Sequence, residues 1–316
     1  MAINTKAIKR RLKSIGSTKK ITKAMEMIAA AKMRKAVNAA LETRTYATLA
    51  WELLVNLSKT QKEQIPLLTV RPVEKILMIM ITSNRGLCGS FNANIIKKTA
   101  AQLKNPKNIA KQRIKGEELE PKGNISVDVI GVGRKGADFA KKMGYNLIAS
   151  FTDLSDTPNL DDAMPIARMI IEAYEKQTYD KVIVAYTDFK SALVQTAKLR
   201  QVLPISEIDL EKMLLDISEK RINPSEQKTD LTDYLFEPNR SDVLKIILPR
   251  LVETQVYQTL LESAASEHSS RMVAMKNASE AAKDMMNELN LTYNKGRQAG
   301  ITQEIAEIAG GAAALE

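Results

Sequence analysis

The sequence predicts an α/β protein: a long antiparallel coiled coil of the N- and C-terminal helices, with a small, mainly parallel α/β domain inserted between them. Three observations predict it. Both chain ends are long stretches of helix-favouring residues that carry small and apolar side chains at heptad spacing. Between them, short apolar runs alternate with helical patterns, which is the order of βαβ units. Aromatic residues make up only 4% of the 316, with Trp51 the single tryptophan, against 14 methionines. That composition suits helices better than a β-sandwich. The implied division is 1–60 for the first helix, 61–240 for the inserted domain and 241–316 for the last helix.

The elements follow in order. Residues 3–59 contain no proline and one glycine, Gly16, and so predict one helix of about 85 Å at ~1.5 Å per residue. Its second half has a seam of Met33, Ala36, Ala40, Thr43, Ala47, Ala50, Leu54 and Leu57. Pro66 and Pro72 end the helix, because neither can continue it. Strands are predicted at 74–82, 125–132, 145–151 and 179–189, with another within 192–205. Helical patterns at 92–104, 134–143 and 161–177 lie between them, a Rossmann-like alternation. The polar stretches 104–124 and 206–230 read as surface loops or insertions. From Ser241 to about Ala309 the helical pattern returns for on the order of 100 Å, with Pro249 expected to kink its first turns. Its seam reads Met275, Ala278, Ala282, Met285, Leu289, Thr292, Gly296 and Ala299. Two such helices pair most simply with each other, and small seam residues let their axes approach closely. An inserted domain of this size cannot cover that length of helix. Much of the pair must protrude or be enclosed by another protein.

Charge narrows the function. The first 35 residues hold eleven Lys and Arg against Glu26 alone, an excess equal to the net charge of +10 on the whole chain. A segment this basic is expected to meet an acidic protein surface, lipid headgroups or nucleic acid, or to remain a solvated face. It has no aromatic residue, which argues against stacking on single-stranded nucleic acid. Cys88 is the only cysteine, so an internal disulfide and a multi-cysteine metal site are excluded, and a reducing compartment fits. No apolar run is long enough to span a bilayer. The start of the chain is basic without an apolar core, so it is not read as a secretory signal.

Two loops invite a chemical reading. Gly131, Gly133 and Gly136 spell G-x-G-x-x-G after a strand, with Asp153 about where a ribose-binding carboxylate would stand, roughly 20 residues on. This makes a dinucleotide-binding oxidoreductase an alternative. Against it, the unit is short and follows the second strand of the sheet, so the glycines are expected to serve a tight strand-to-helix turn. The loop "TSNRGLCGSFN" (82–92) lacks the Lys-Ser/Thr ending of a phosphate-binding loop. Cys88 would need His268 nearby to be activated, and His268 is read as a solvated helix residue. No catalytic residue, cofactor or metal site is expected.

Particular segments carry a resemblance. "KKITKAMEMIAAAKMRKA" (19–36), "SNRGLCGSFN" (83–92), "ESAASEHSSRMVAMKNAS" (262–279) and "LTYNKGRQAGITQEIAEIAGGAAA" (291–314) closely resemble the γ subunit of F-type ATP synthases. The match covers both terminal helices, and the middle of the chain in order and approximate length. The resemblance implies a central rotor shaft: a chain that is not an enzyme on its own but couples ion flow through a membrane c-ring to ATP synthesis or hydrolysis. Its implied partners are the α and β subunits of the catalytic hexamer, the ε subunit and the c-ring. It implies no nucleic acid, and membrane association only through the complex. A peripheral position on the cytoplasmic face of a bacterial plasma membrane is expected. By motif, Lys23 and Met25 match positions near β-subunit lever loops, and Arg271, Gln298 and Thr302 match positions that hold β-subunit loops near the upper shaft. Two departures stand out. The 104–124 stretch looks longer than the family's, and Gly296 and Gly300 stand where Ala or Ser is more usual. The remaining alternative is a nucleic-acid-binding coiled-coil protein acting through its basic N-terminal helix.

Overall fold

The computed structural model describes residues 4–58, 65–114, 117–205 and 239–313. The chain packs as two compact units, one of residues 31–270 and one that joins residues 1–30 to 271–316. Two helices run through both: α1 (Thr5–Ser58) and α6 (Arg240–Ala313). Helix α6 continues through Pro249, so the proline does not interrupt it.

The larger unit is built on a five-stranded sheet. Its strands are β1 (Lys75–Ile81), β4 (Ser126–Val132), β5 (Asn146–Phe151), β6 (Lys181–Phe189) and β7 (Gln195–Leu203), in the order β5-β4-β1-β6-β7. All neighbouring pairs are parallel except β6 with β7. The apolar run "KILMIMI" is explained by its place. β1 is central and, after the exposed Lys75, buried on both faces, so each side chain from Ile76 to Ile81 has to be apolar. The edge strand β5 alternates exposed and half-buried residues instead.

Helices α2 (Phe91–Lys104) and α4 (Arg134–Lys142) cover one face of the sheet, where Ile76 and Met78 meet Ile95 and Leu103, and Met80 meets Ala140. The opposite face holds the main core. There Leu77, Ile79, Val184 and Tyr186 pack with α5 (Leu160–Glu175) and with Leu248, Val252, Val256 and Leu260 of α6. Helix α5 starts in a capping box, in which Asp162 N–H donates to Asn159 Oδ1 at 2.9 Å and Asn159 N–H donates to Asp162 Oδ2 at 3.0 Å. The expected strands and helices are therefore present, including the fifth strand.

The 104–124 stretch departs from the loop expected there. It contains a short helix, α3 (Pro106–Ala110), and an antiparallel hairpin of β2 (Gln112–Ile114) and β3 (Glu117–Leu119). Its polar composition concealed the order, because a two-stranded ribbon separate from the main sheet needs few apolar residues. The ribbon is tied to the domain by Lys181 Nζ, which donates to Lys111 O at 2.8 Å, and by Lys122 N–H, which donates to Val73 O. The other polar stretch, 206–230, lies outside the described residues.

Candidate coupling surface

The glycine loops are where the sequence invites a ligand. A phosphate bound at a helix N-terminus needs free backbone N–H groups. At the start of α4 they are already engaged. Arg134 N–H donates to Asn84 Oδ1 at 2.9 Å, Lys135 N–H to Ser83 O at 3.2 Å and Gly136 N–H to Thr82 Oγ1 at 2.7 Å. Gly133 has φ +89°, and a Cβ there would stand 2.1 Å from Thr82 O. The glycines thus let the turn after β4 press against the end of β1, filling the place a pyrophosphate would take. Asp153 is exposed on the loop after β5. The oxidoreductase alternative is not supported.

The loop after β1 is closed in the same way. Asn92 Oδ1 accepts from Ser83 N–H at 3.0 Å, and Asn92 Nδ2 donates to Ser83 Oγ at 2.7 Å and lies 3.2 Å from Cys88 Sγ. Cys88 is buried beneath these contacts. His268 contradicts the expectation made for it. It is 3% exposed, and its Nε2 lies 2.7 Å from Asp156 O. A carbonyl can only accept, so Nε2 carries the proton. The flanking serines suggested a solvated helix face, but the two loops at that end of the sheet reach around the helix and cover it.

The smaller unit is a pair of helical segments. Gly16 of α1 faces Met286 of α6, whose Cε would lie 3.7 Å from a Cβ on Gly16. The unit also joins the stretch that ends at Ala30 to the one that begins at Arg271, so the two segments run antiparallel. Its buried residues are Thr22 and Ala29 on one side, and Met275, Ser279, Ala282 and Gly296 on the other. The seam is small, as expected, but its phase on α6 differs in part. Met285, Thr292 and Ala299 face out, while Met286 and Tyr293 are half-buried. Spacings of three and four alternate in either order along a heptad. "MM" at 285–286 and "TY" at 292–293 offer the same choice twice, so the sequence alone could not resolve it.

The named contact residues all fall in this unit. Lys23 is exposed and pairs with Glu26 at 3.0 Å on its own helix. Met25 and Arg271 are half-buried, and Gln298 and Thr302 are exposed. Thr302 Oγ1 donates to Gln298 O at 3.0 Å, one turn back, so these two share a face. Gln298 and Thr302 lie about 40 Å along the helix from Arg271, at ~1.5 Å per residue. The five residues therefore form two levels on the rod and not one site.

Sequence reasoning did not single out a stripe of large apolar side chains on the outside of the rod. On α6, Ile301, Ile305 and Ile308 are 47%, 61% and 73% exposed, and Ile21, Met27 and Ile28 of α1 also face outward. The signal was available, since 301, 305 and 308 are spaced four and three apart. It reads as a seam until the fold shows, among the described residues, no helix against it. Exposed apolar stripes of this kind mark surfaces that another molecule covers. Among the described residues no helix is long and apolar enough to cross a membrane, and no cluster of side chains is suited to a metal ion.

The comparisons with known proteins agree with this arrangement. Residues 4–315 match the protein family described as ATP synthase. The chain is 39% identical over 315 residues to the ATP synthase gamma chain of Roseiflexus castenholzii, covering 99% of this chain and 98% of that one. It is 41% identical over 315 residues to the gamma chain of Dehalococcoides mccartyi, covering 99% of each. A solved central stalk and c-ring of Tetrahymena thermophila mitochondrial ATP synthase contains a chain that aligns at TM-score 0.54 and 26% identity, over 82% of this chain and 99% of that one. The fold is shared as well with a chain in a Euglena gracilis mitochondrial ATP synthase, at TM-score 0.62, 20% identity and coverage of 98% and 94%. With a full-length match at this identity and the same order of helix, sheet domain and helix, the chain belongs to the ATP synthase gamma chain family.

Proposed function

We propose that this chain is the central rotor shaft of an F-type ATP synthase, non-catalytic by itself. Rotation of its asymmetric helix pair couples ion flow through a c-ring to ATP synthesis or hydrolysis at the β subunits. The observation that carries this reading is the rod with its apolar residues outside. Ile301, Ile305 and Ile308 have solvent where a soluble monomer would place polar groups, and a sleeve of α and β subunits would cover them. A seam of Ala, Ser and Gly keeps the rod thin enough for such a bore. A shaft without three-fold symmetry offers each of three β subunits different contacts, and differential contacts are what hold identical sites in different states.

Within that mechanism each group acts by contact. Lys23, with the exposed cations Lys9, Arg10, Arg11, Lys13 and Lys20, would meet acidic lever loops of the β subunits, and Met25 would pack beside them. Arg271, Gln298 and Thr302 would hold β-subunit loops at the two levels of the rod. Residues 61–240 would form the foot that meets the ε subunit and the c-ring, with residues 1–60 and 241–316 as the shaft. The complex would sit on the cytoplasmic face of a bacterial plasma membrane. The decisive experiment is co-expression with the α and β subunits of the same organism. One copy of this chain per three of each partner, with ATP hydrolysis that depends on it, is the expected result. A chain that elutes alone while the partners assemble without it would overturn the reading.

A further inference from the structure

Residues 266–270 of α6 are the last of the larger unit before its boundary after Ser270, and four of these five are tied to loops at the carboxyl edge of the sheet. Ser266 Oγ donates to Thr187 O at 3.1 Å, at the end of β6. His268 Nε2 donates to Asp156 O at 2.7 Å, on the loop between β5 and α5. Ser269 Oγ donates to Ala192 O at 2.6 Å, in the β6–β7 turn. Ser270 Oγ donates to Gln195 Oε1 at 3.2 Å, where β7 begins. Three of the four acceptors are backbone carbonyls and three of the four donors are short hydroxyls, so little freedom remains in the links.

At ~100° per residue the four donors are spread over roughly 200° of the helix circumference. They reach two separate loops, so turning α6 about its own axis stretches several of them at once. Apolar packing is non-directional and resists such a twist weakly. The loop that carries Asp156 is braced, since Ser155 Oγ donates to Thr157 O at 2.7 Å and to Asp162 Oδ2, within the capping box of α5, at 3.0 Å. The same residue also holds the other helix. The Asp156 carboxylate accepts from Lys32 Nζ, and Lys32 is the second residue of α1 inside the larger unit. Both helices are thus tied to the domain through Asp156, one by its carbonyl and one by its carboxylate, each within two residues of the unit boundary.

We propose that Ser266, His268, Ser269 and Ser270, with Asp156 and Lys32, form a torsional collar that locks both helices to the α/β domain, so that torque passes along the chain without slip. These are positioning residues that act through the helices and touch neither nucleotide nor the β subunits. The proposal rests on the rotor reading and deepens it.

The test uses the complex assembled with the α and β subunits. The hexamer is fixed to a surface and a bead is attached through Lys107→Cys, an exposed position on α3. Cys88, being buried, leaves the introduced thiol selectively labelled. Angular fluctuation of the bead during a nucleotide dwell reports torsional stiffness. The His268→Leu/Ser269→Ala double variant is expected to assemble, to hydrolyse ATP without load at close to the parent rate, and to widen the angular variance about twofold as two of the four α6 bonds are lost. His268→Gln, which keeps an N–H donor at that reach, is expected to return the variance to the parent value. Unchanged variance in the assembled double variant would overturn the proposal, and so would a widened variance in His268→Gln. A double variant that fails to assemble where the parent succeeds would also overturn it, by assigning these bonds to folding. If the parent chain itself does not join the hexamer, the rotor reading fails instead.

Discussion

The two units of the chain solve opposite problems. At the carboxyl edge of the sheet, loops rich in glycine and asparagine look ready for a ligand, yet their donors are engaged inside the domain: Gly136 N–H by Thr82, Arg134 N–H by Asn84, Ser83 N–H by Asn92. In the helix pair the buried seam is small and large apolar side chains stand outside. The larger unit has engaged the donors of its glycine loops, although Leu87, Leu193 and Ile246 stand exposed on it. The helix pair carries its exposed apolar residues at helical spacing along a rod, an area that a partner would remove from water. A ligand-like motif is therefore no guide to where this chain meets other molecules, and an exposed apolar stripe is a better one.

The contrast can be broken most forcefully at Gly133. Alanine there must keep a backbone of φ +89° and place its Cβ 2.1 Å from the Thr82 carbonyl. The expected loss is roughly 3 kcal/mol or more of unfolding free energy, read from urea denaturation of the free chain. A change within about 0.5 kcal/mol would show that the turn is not held as tightly as its geometry indicates.

The complementary change lies on the rod. Ile305→Ser should leave stability of the free chain within about 0.5 kcal/mol, because the side chain is already exposed. Affinity for the α and β subunits should fall by about 2 kcal/mol, the worth of burying one isoleucine. Titration of the chain onto the isolated partner assembly would measure it, and equal affinity would place the stripe outside the interface.

A smaller effect is expected at Gly300, where an added Cβ would meet nothing within 4 Å. Gly300→Ala should raise helix stability by about 1 kcal/mol, visible as slower amide exchange in the upper turns of α6. Gly296, one turn earlier, is buried in the seam. Unchanged exchange in Gly300→Ala would mean that backbone entropy does not limit these turns.

The smallest predicted effect concerns pH. The Asp156 carboxyl is held below its ordinary value of 3.8, chiefly by the hydrogen bond from Lys32, with partial burial opposing and the charges of Lys32, His268 and Arg85 adding to the lowering. A carboxylate with a depressed native pKa contributes stability that is present above its unfolded value and lost as pH falls through the folded one. Asp156→Asn should therefore be slightly less stable than the parent at pH 6, with the gap closing as pH falls below the ordinary carboxyl value of 3.8, in parallel urea titrations. A gap that persists at the acid end would show that the Lys32 ion pair is not its source.

Most of the fold was legible because it depends on local patterns. Ala36 and Ala40 of the α1 seam are buried as their spacing indicates, while Ala47, Ala50, Leu54 and Leu57 lie outside the described side chains. The run from Ile76 to Ile81 reports burial directly, since only apolar side chains survive on two covered faces. The β2–β3 ribbon was not legible, because a small edge hairpin needs no apolar stripe to announce it. The seam phase was misread at Met285, where the fold turns Met286 inward instead, for a related reason: both residues are apolar, and only the partner helix selects one. The five residues proposed for contact were chosen by motif, and their division into two levels along the rod follows from the helix geometry.

The sequence by itself determined the helix–sheet–helix order, the concentration of positive charge in the first 35 residues and the family, because each is written in spacing and composition along the chain. Tertiary structure alone decided three further points: that the G-x-G-x-x-G turn is closed by Thr82, that His268 is buried against Asp156, and that Ile301, Ile305 and Ile308 are left outside. These depend on residues far apart in sequence, 51 to 112 positions for the first two. Such contacts depend on where the sheet places each loop and helix end, which no local periodicity encodes.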